Sequence, residues 1–106
     1  MMSGSLIGGC VYLARTPGLP FVKIGMTRAT RETAPAAVAA RLGKLQRGCP
    51  LKLELAHFAY VDDAPGVEAE LLRRFAQARC FGEWVKVSRP GALVRELKRL
   101  ASEWAP

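Results

Sequence analysis

Two short apolar runs, Val11-Tyr12-Leu13 and Val22-Lys23-Ile24-Gly25-Met26-Thr27, are separated by Arg15-Thr16-Pro17-Gly18-Leu19-Pro20. Proline fixes φ and removes a donor, and glycine admits conformations closed to other residues, so this connector reads as a turn. Residues 6–14 and 21–26 are therefore expected to be strands, joined most economically as an antiparallel hairpin. Successive side chains on a strand point to opposite faces. A hairpin can thus bring one group from each strand, the Tyr12 phenol and the Lys23 ammonium, to a common face.

The remaining elements follow from spacing and punctuation. Thr27 to Ala34 is a polar, basic stretch. Pro35 suits the first turn of a helix, and Ala36 to Arg47 follows, with Val38, Leu42 and Leu45 inward, Arg41, Lys44 and Arg47 outward, and Gly48 as the stop. Residues 51–61 begin in strict alternation and predict a third strand with Leu51, Leu53, Leu55, His57, Ala59 and Val61 on one face. Asp62 or Asp63 caps a helix reaching about Ala78, whose inner side is Val67, Leu71, Leu72 and Phe75. Residues 81–87 read as a turn and a short extended piece. Ser88 then caps a last helix with Leu93, Val94, Leu97, Leu100 and Trp104 as its stripe. The order β-β-α-β-α-β-α predicts an α+β class: a small, mostly antiparallel sheet of three core strands flanked by helices.

At 106 residues the chain has the size of one domain, expected over 8–104, with residues 1–7 as a flexible N-terminus. No apolar run approaches the roughly 18 residues of a membrane span, and Leu6 to Leu13 lacks a basic leader. The expectation is a soluble, cytoplasmic protein with no membrane partner. Cys10, Cys49 and Cys80 are widely spaced and odd in number, which argues against a disulfide framework and a zinc site. A formal net charge of +7, from 16 Lys and Arg against nine Asp and Glu, favours a polyanionic partner, nucleic acid first.

Five pieces of the sequence together resemble the GIY-YIG nuclease superfamily, within it the branch typified by a phage open reading frame. They are Val11-Tyr12; Val22-Lys23-Ile24-Gly25-Met26-Thr27; Arg41-Leu42; Glu68-Ala69-Glu70-Leu71 with Phe75; and Gly82-Glu83-Trp84. The resemblance covers about residues 8–88 and is most specific in the second piece. It implies a GIY-YIG-like fold and a metal-dependent endonuclease that hydrolyses DNA phosphodiesters, using Mg²⁺ or Mn²⁺. Tyr12, Arg41 and Glu68 match the catalytic positions, Glu68 also being the metal ligand, and Gly25 and Thr27 match the structural ones; Lys23, within the second piece, is a further candidate catalytic residue. Arg28, Arg31, Lys44, Arg47, Arg73 and Arg74 are the cations expected to meet DNA.

Chemistry makes sense of these residue types. A hard divalent cation takes carboxylate oxygen and keeps several waters, so one glutamate can hold it. An arginine grips a nonbridging phosphate oxygen. A tyrosine is a poor base at its free pKa of about 10, so a neighbouring cation, here Lys23 across the hairpin, would help it give up its proton. Much of the superfamily has tyrosine where Lys23 stands, and a histidine is common where Leu72 stands. Residues 28–35 form a basic, flexible insertion. The alternatives are a nucleic-acid-binding module of the same fold with little catalysis, and a protein-interaction domain that kept the scaffold. A homodimer or a separate partner would supply specificity in so short a chain.

Overall fold

The computed structural model describes residues 8–87 and 89–103. The expected flexible segment 1–7, the Ser88 cap and Trp104 lie outside the described residues. The elements in chain order are β1 (Gly9–Arg15), β2 (Phe21–Arg28), α1 (Ala34–Arg47), β3 (Glu54–Val61), α2 (Ala64–Arg74), a 3₁₀ turn (Ala76–Ala78), β4 (Arg79–Phe81), β5 (Trp84–Lys86) and α3 (Gly91–Glu103). Every strand pairing is antiparallel and the sheet order is β3-β1-β2-β5-β4. The class is α+β as expected, but the sheet has five strands, not three. The additional pair is the β4–β5 hairpin, turned at Gly82, whose φ of 54° is open to glycine.

Two cores sit on opposite faces of this sheet. On one, Val11, Leu13, Val22 and Ile24 meet Val67 and Leu71 of α2 and Leu93, Leu97 and Leu100 of α3. On the other, Cys10, Tyr12 and Ala14 meet Ala34 and Val38 of α1. A Cα radius of gyration of 13.4 Å matches the roughly 13 Å of a compact 100-residue domain. Among the described residues no helix is long and apolar enough to cross a membrane.

Several boundaries move, each for a local reason. β2 continues through Thr27 and Arg28, because β1 pairs with it as far as Gly9↔Arg28. The stretch expected to be a flexible insertion is instead tied: Thr30 N donates to Thr33 Oγ1 at 2.9 Å and Thr33 N to Thr30 Oγ1 at 3.2 Å. Residues 51–53 do not join β3. The Gln46 side chain takes the part of a ladder partner there, donating to Leu51 O at 3.0 Å and accepting from Leu53 N at 2.8 Å. In β3 the register with β1 shifts between Leu13↔His57 and Ala14↔Leu55, leaving Ala56 as an extra residue. That bulge breaks the apolar face expected along the strand, and Leu55 is 38% exposed. Asp63, rather than Asp62, caps α2, accepting from Gly66 N at 3.1 Å.

Candidate functional site

Tyr12 and Gly25 are direct partners across β1 and β2. The phenol lies over the glycine: a Cβ built on Gly25 would clash with Tyr12 Cζ and Oη and stand 2.9 Å from Cε1. Only glycine leaves room for the ring, which is why an apolar strand carries one there. Tyr12 is 1% exposed, and its hydroxyl makes no hydrogen bond with any described residue. Lys23, two residues from Gly25 and paired with Ala14, shares the face of Tyr12, as does Thr27 opposite Cys10.

β5 covers β2 only from Phe21 to Lys23. Where that ladder stops, three motifs meet. Lys23 Nζ donates to Glu83 Oε1 at 2.8 Å, joining β2 to the β4–β5 turn across 60 residues of sequence. Glu68 stands in the field of both. It lies at i+4 from Ala64 and i−3 from Leu71, so it occupies the flank of the inward stripe of α2. Burial first, then the negative charge of Glu83, push its carboxyl up to about 6, and Lys23 pulls it partly back. Glu68 forms no hydrogen bond or ion pair with a described residue, so both its oxygens remain available.

The donor set suits a hard cation. Glu68 offers free carboxylate oxygen and Glu83 a second carboxylate shared with Lys23, a ligand count fitting an ion that keeps most of its waters. A divalent cation would relieve the repulsion that raises Glu68. Among the described residues no group of three or more His, Cys, Asp or Glu is gathered to hold a metal. Replacing Lys23 by Met is expected to push the Glu68 titration upward from about 6, and Glu83→Gln to bring it down, as followed by carboxyl ¹³C NMR.

The other expected residues divide by side of the sheet. Arg41 does not lie opposite the apolar stripe of α1. It stands three residues after Val38 and four before Leu45, on the side of the helix that packs on the Tyr12 face, yet it is exposed and makes no hydrogen bond or ion pair with a described residue. Lys44 and Arg47 are exposed in the last turn of α1, and Arg28 is exposed at the end of β2. The Arg31 guanidinium sits 4.8 Å from the centroid of the Tyr60 ring, on the same side of the sheet. Arg73 and Arg74 belong to the far side. Both bind Glu70, at 2.6 and 2.7 Å, and Arg74 also reaches Glu96 of α3 at 2.7 Å, which holds Glu70 well below the usual carboxylate range.

Sequence reasoning gave Glu83 no role beyond its place in the Gly82-Glu83-Trp84 piece, and the structure makes it the partner of Lys23. The signal was the Gly82-Glu83-Trp84 piece, but which cation Glu83 meets depends on the β4–β5 hairpin. Leu72, one turn after Glu68, packs against the core between the sheet, α2 and α3. Comparison of the chain with protein-family models, with curated proteins and with solved structures returns no match.

Proposed function

We propose that this chain is a GIY-YIG-like, divalent-metal-dependent endonuclease that hydrolyses DNA phosphodiesters. The observation that carries the reading is the convergence of Lys23, Glu68 and Glu83, from three of the five resembling pieces, where the β2–β5 ladder ends: Lys23 shares the face of Tyr12, and Glu68 comes from α2 on the other face. The resemblance to the nuclease superfamily and the charge of +7 support the same choice of substrate.

Each side chain then has a task. Glu68 would hold Mg²⁺ or Mn²⁺, which when bound supplies charge neutralisation at the scissile phosphate and a more acidic water. Tyr12, held over Gly25, would orient the attacking water, or take its proton once it has given up its own beside the Lys23 ammonium. Lys23 assists Tyr12 from the same face and keeps Glu83 in place. Arg41 donates to a nonbridging phosphate oxygen and offsets the charge that develops on it. Arg28, Arg31, Lys44 and Arg47 meet flanking phosphates, whereas Arg73 and Arg74, on the far side and paired with Glu70 and Glu96, take no part. Specificity comes from a second copy or a partner.

A binding module of the same fold is the second reading, favoured by one observation: Leu72 is core where a histidine is common in this branch. Supercoiled, linear and branched DNA, each incubated with and without Mg²⁺ or Mn²⁺, separate the two. Metal-dependent cleavage supports the nuclease; salt-sensitive binding without cleavage under either metal supports the module. Arg41→Ala is expected to lower cleavage by about a hundredfold while changing stability by less than about 0.5 kcal/mol, because the side chain is exposed and unpaired among the described residues. Cleavage rates and thermal unfolding of the variant check both halves.

A further inference from the structure

Beside the Lys23–Glu83 pair the same sheet face opens into a cavity of about 270 Å³. Phe21, Phe81 and Trp84 form its aromatic wall, and Thr16, Leu51, Cys49 and Cys80, the last with its thiol donating to Trp84 O at 3.5 Å, complete the lining. That wall is wholly apolar: the Thr16 hydroxyl is turned away to Phe21 O at 3.3 Å. Phe81 is 81% exposed and Leu51 45% exposed. A small domain that leaves an aromatic ring so far in water, next to an open apolar hollow, presents a binding surface.

The register interleaves these rings with cations. Phe21 pairs with Lys86 and Trp84 with Lys23, while Phe81 pairs with Trp84. Directly paired residues share a face, so two lysines and three aromatic rings form one block. Lys86 is exposed and has no hydrogen bond or ion pair among the described residues. Lys52 follows Leu51 at the opposite rim, and Glu83, the carboxylate beside Trp84, is already paired with Lys23.

A peptide or a second copy of this basic chain could seat an apolar side chain in this hollow, but would bring no phosphate to Lys86 and its neighbours. A nucleobase does both: its π-face covers the rings and its polar edges stay in water, while the phosphates on either side meet lysine. Bases inside a duplex are already stacked on one another, so the occupant must be unpaired.

We propose that the Phe21–Phe81–Trp84 cavity is a stacking subsite for an unpaired base of single-stranded nucleic acid. It deepens the nuclease reading and rests on it for the meaning of the neighbouring Lys23–Glu83–Glu68 cluster. A strand with a base in the hollow runs its backbone past that cluster. Since the wall has nothing to read a base edge with, the subsite tolerates any base.

The test measures binding of fluorescent oligothymidylate, oligodeoxyadenylate and a duplex of equal length, by anisotropy without divalent metal. Wild type is expected to bind both single strands more tightly than the duplex. Phe81→Ala is expected to weaken single-strand binding by about five- to a hundredfold with little change for the duplex, and Phe81→Trp to retain it. With Trp104→Phe as background, the single strand is expected to quench Trp84 fluorescence. Equal affinity for single strand and duplex overturns the proposal, as does a Phe81→Ala protein of wild-type unfolding midpoint that binds single strands undiminished. So does concentration-dependent dimerisation abolished by Phe81→Ala, which would make a second copy the occupant. Stacking with no cleavage under Mg²⁺ or Mn²⁺ would sink the nuclease reading and leave the subsite standing.

Discussion

Gly25→Ala is expected to lower the unfolding midpoint by about 10–20 °C. The added methyl falls on the Tyr12 ring, which is itself packed among Cys10, Ala14, Ala34 and Val38. Overfilling a close-packed core costs about 1–3 kcal/mol, and the upper part of that range applies where the obstacle is a rigid ring that is 1% exposed. Each kcal/mol moves the midpoint of a domain of this size by about 4–8 °C. A double-mutant cycle isolates the contact. Tyr12→Leu removes the ring, so Tyr12→Leu/Gly25→Ala should be less destabilised than the sum of the two single variants by about 1 kcal/mol or more. Additive losses would mean that the glycine serves the strand backbone and not the phenol. If the phenol handles the attacking water, Gly25→Ala protein that remains folded should also cleave poorly, because the ring has been displaced.

The hairpin that carries this contact was legible because its signals are local. Pro17, Gly18 and Pro20 mark the turn, and the apolar runs on either side mark the strands. The helices were legible from the spacing of Val38, Leu42 and Leu45, of Val67 and Leu71, and of Leu93, Leu97 and Leu100. What escaped depends on partners remote in sequence. β4 is three exposed residues, with no apolar alternation to announce it; it exists because β5 is there to pair with. Leu51-Lys52-Leu53 alternates well but is held by the Gln46 amide outside the sheet. The Ala56 bulge appears only once β1 and β3 are aligned.

The site divides along the same line. The hairpin put Tyr12 and the second motif on neighbouring strands, with Lys23 expected across from Tyr12; the register instead pairs Tyr12 with Gly25 and Lys23 with Ala14. Glu68 could be preferred over Glu70 through its spacing to Phe75 in the resembling piece, and the structure gives Glu70 to Arg73 and Arg74 and leaves Glu68 free of such bonds among the described residues. The partner of Lys23 could not be read, since Glu83 reaches it only through the β4–β5 hairpin. The exposure of Arg41 was legible from its charge, but its place on the helix was not: the spacing from Val38 and Leu45 puts it on the flank of the apolar stripe and not opposite it.

Glu68 carries the second large expectation. Its carboxyl titrates at about 6 against an ordinary value of 4.5, burial being the first cause and Glu83 the second. Between those two values the folded protein holds a proton that the unfolded chain has released. Stability contributed by this group therefore falls as pH rises through that window and stays lower above it. Glu68→Gln removes the ionisation with little change of shape. At pH 7 it should stabilise the fold, by about 1 kcal/mol once partial exposure is allowed for. Near pH 4 wild type and variant should unfold at similar temperatures.

The chemistry proposed for Glu68 is tested most directly by measuring cleavage and thermal stability of wild type and Glu68→Gln in parallel at pH 7, with Mg²⁺ and with Mn²⁺. The expected result is a loss of metal-dependent cleavage of at least about a hundredfold in a protein that unfolds at a higher temperature than wild type. Cleavage by Glu68→Gln at the wild-type rate, with the metal requirement intact, would contradict the assignment of Glu68 as the metal-holding carboxylate and with it the proposed site.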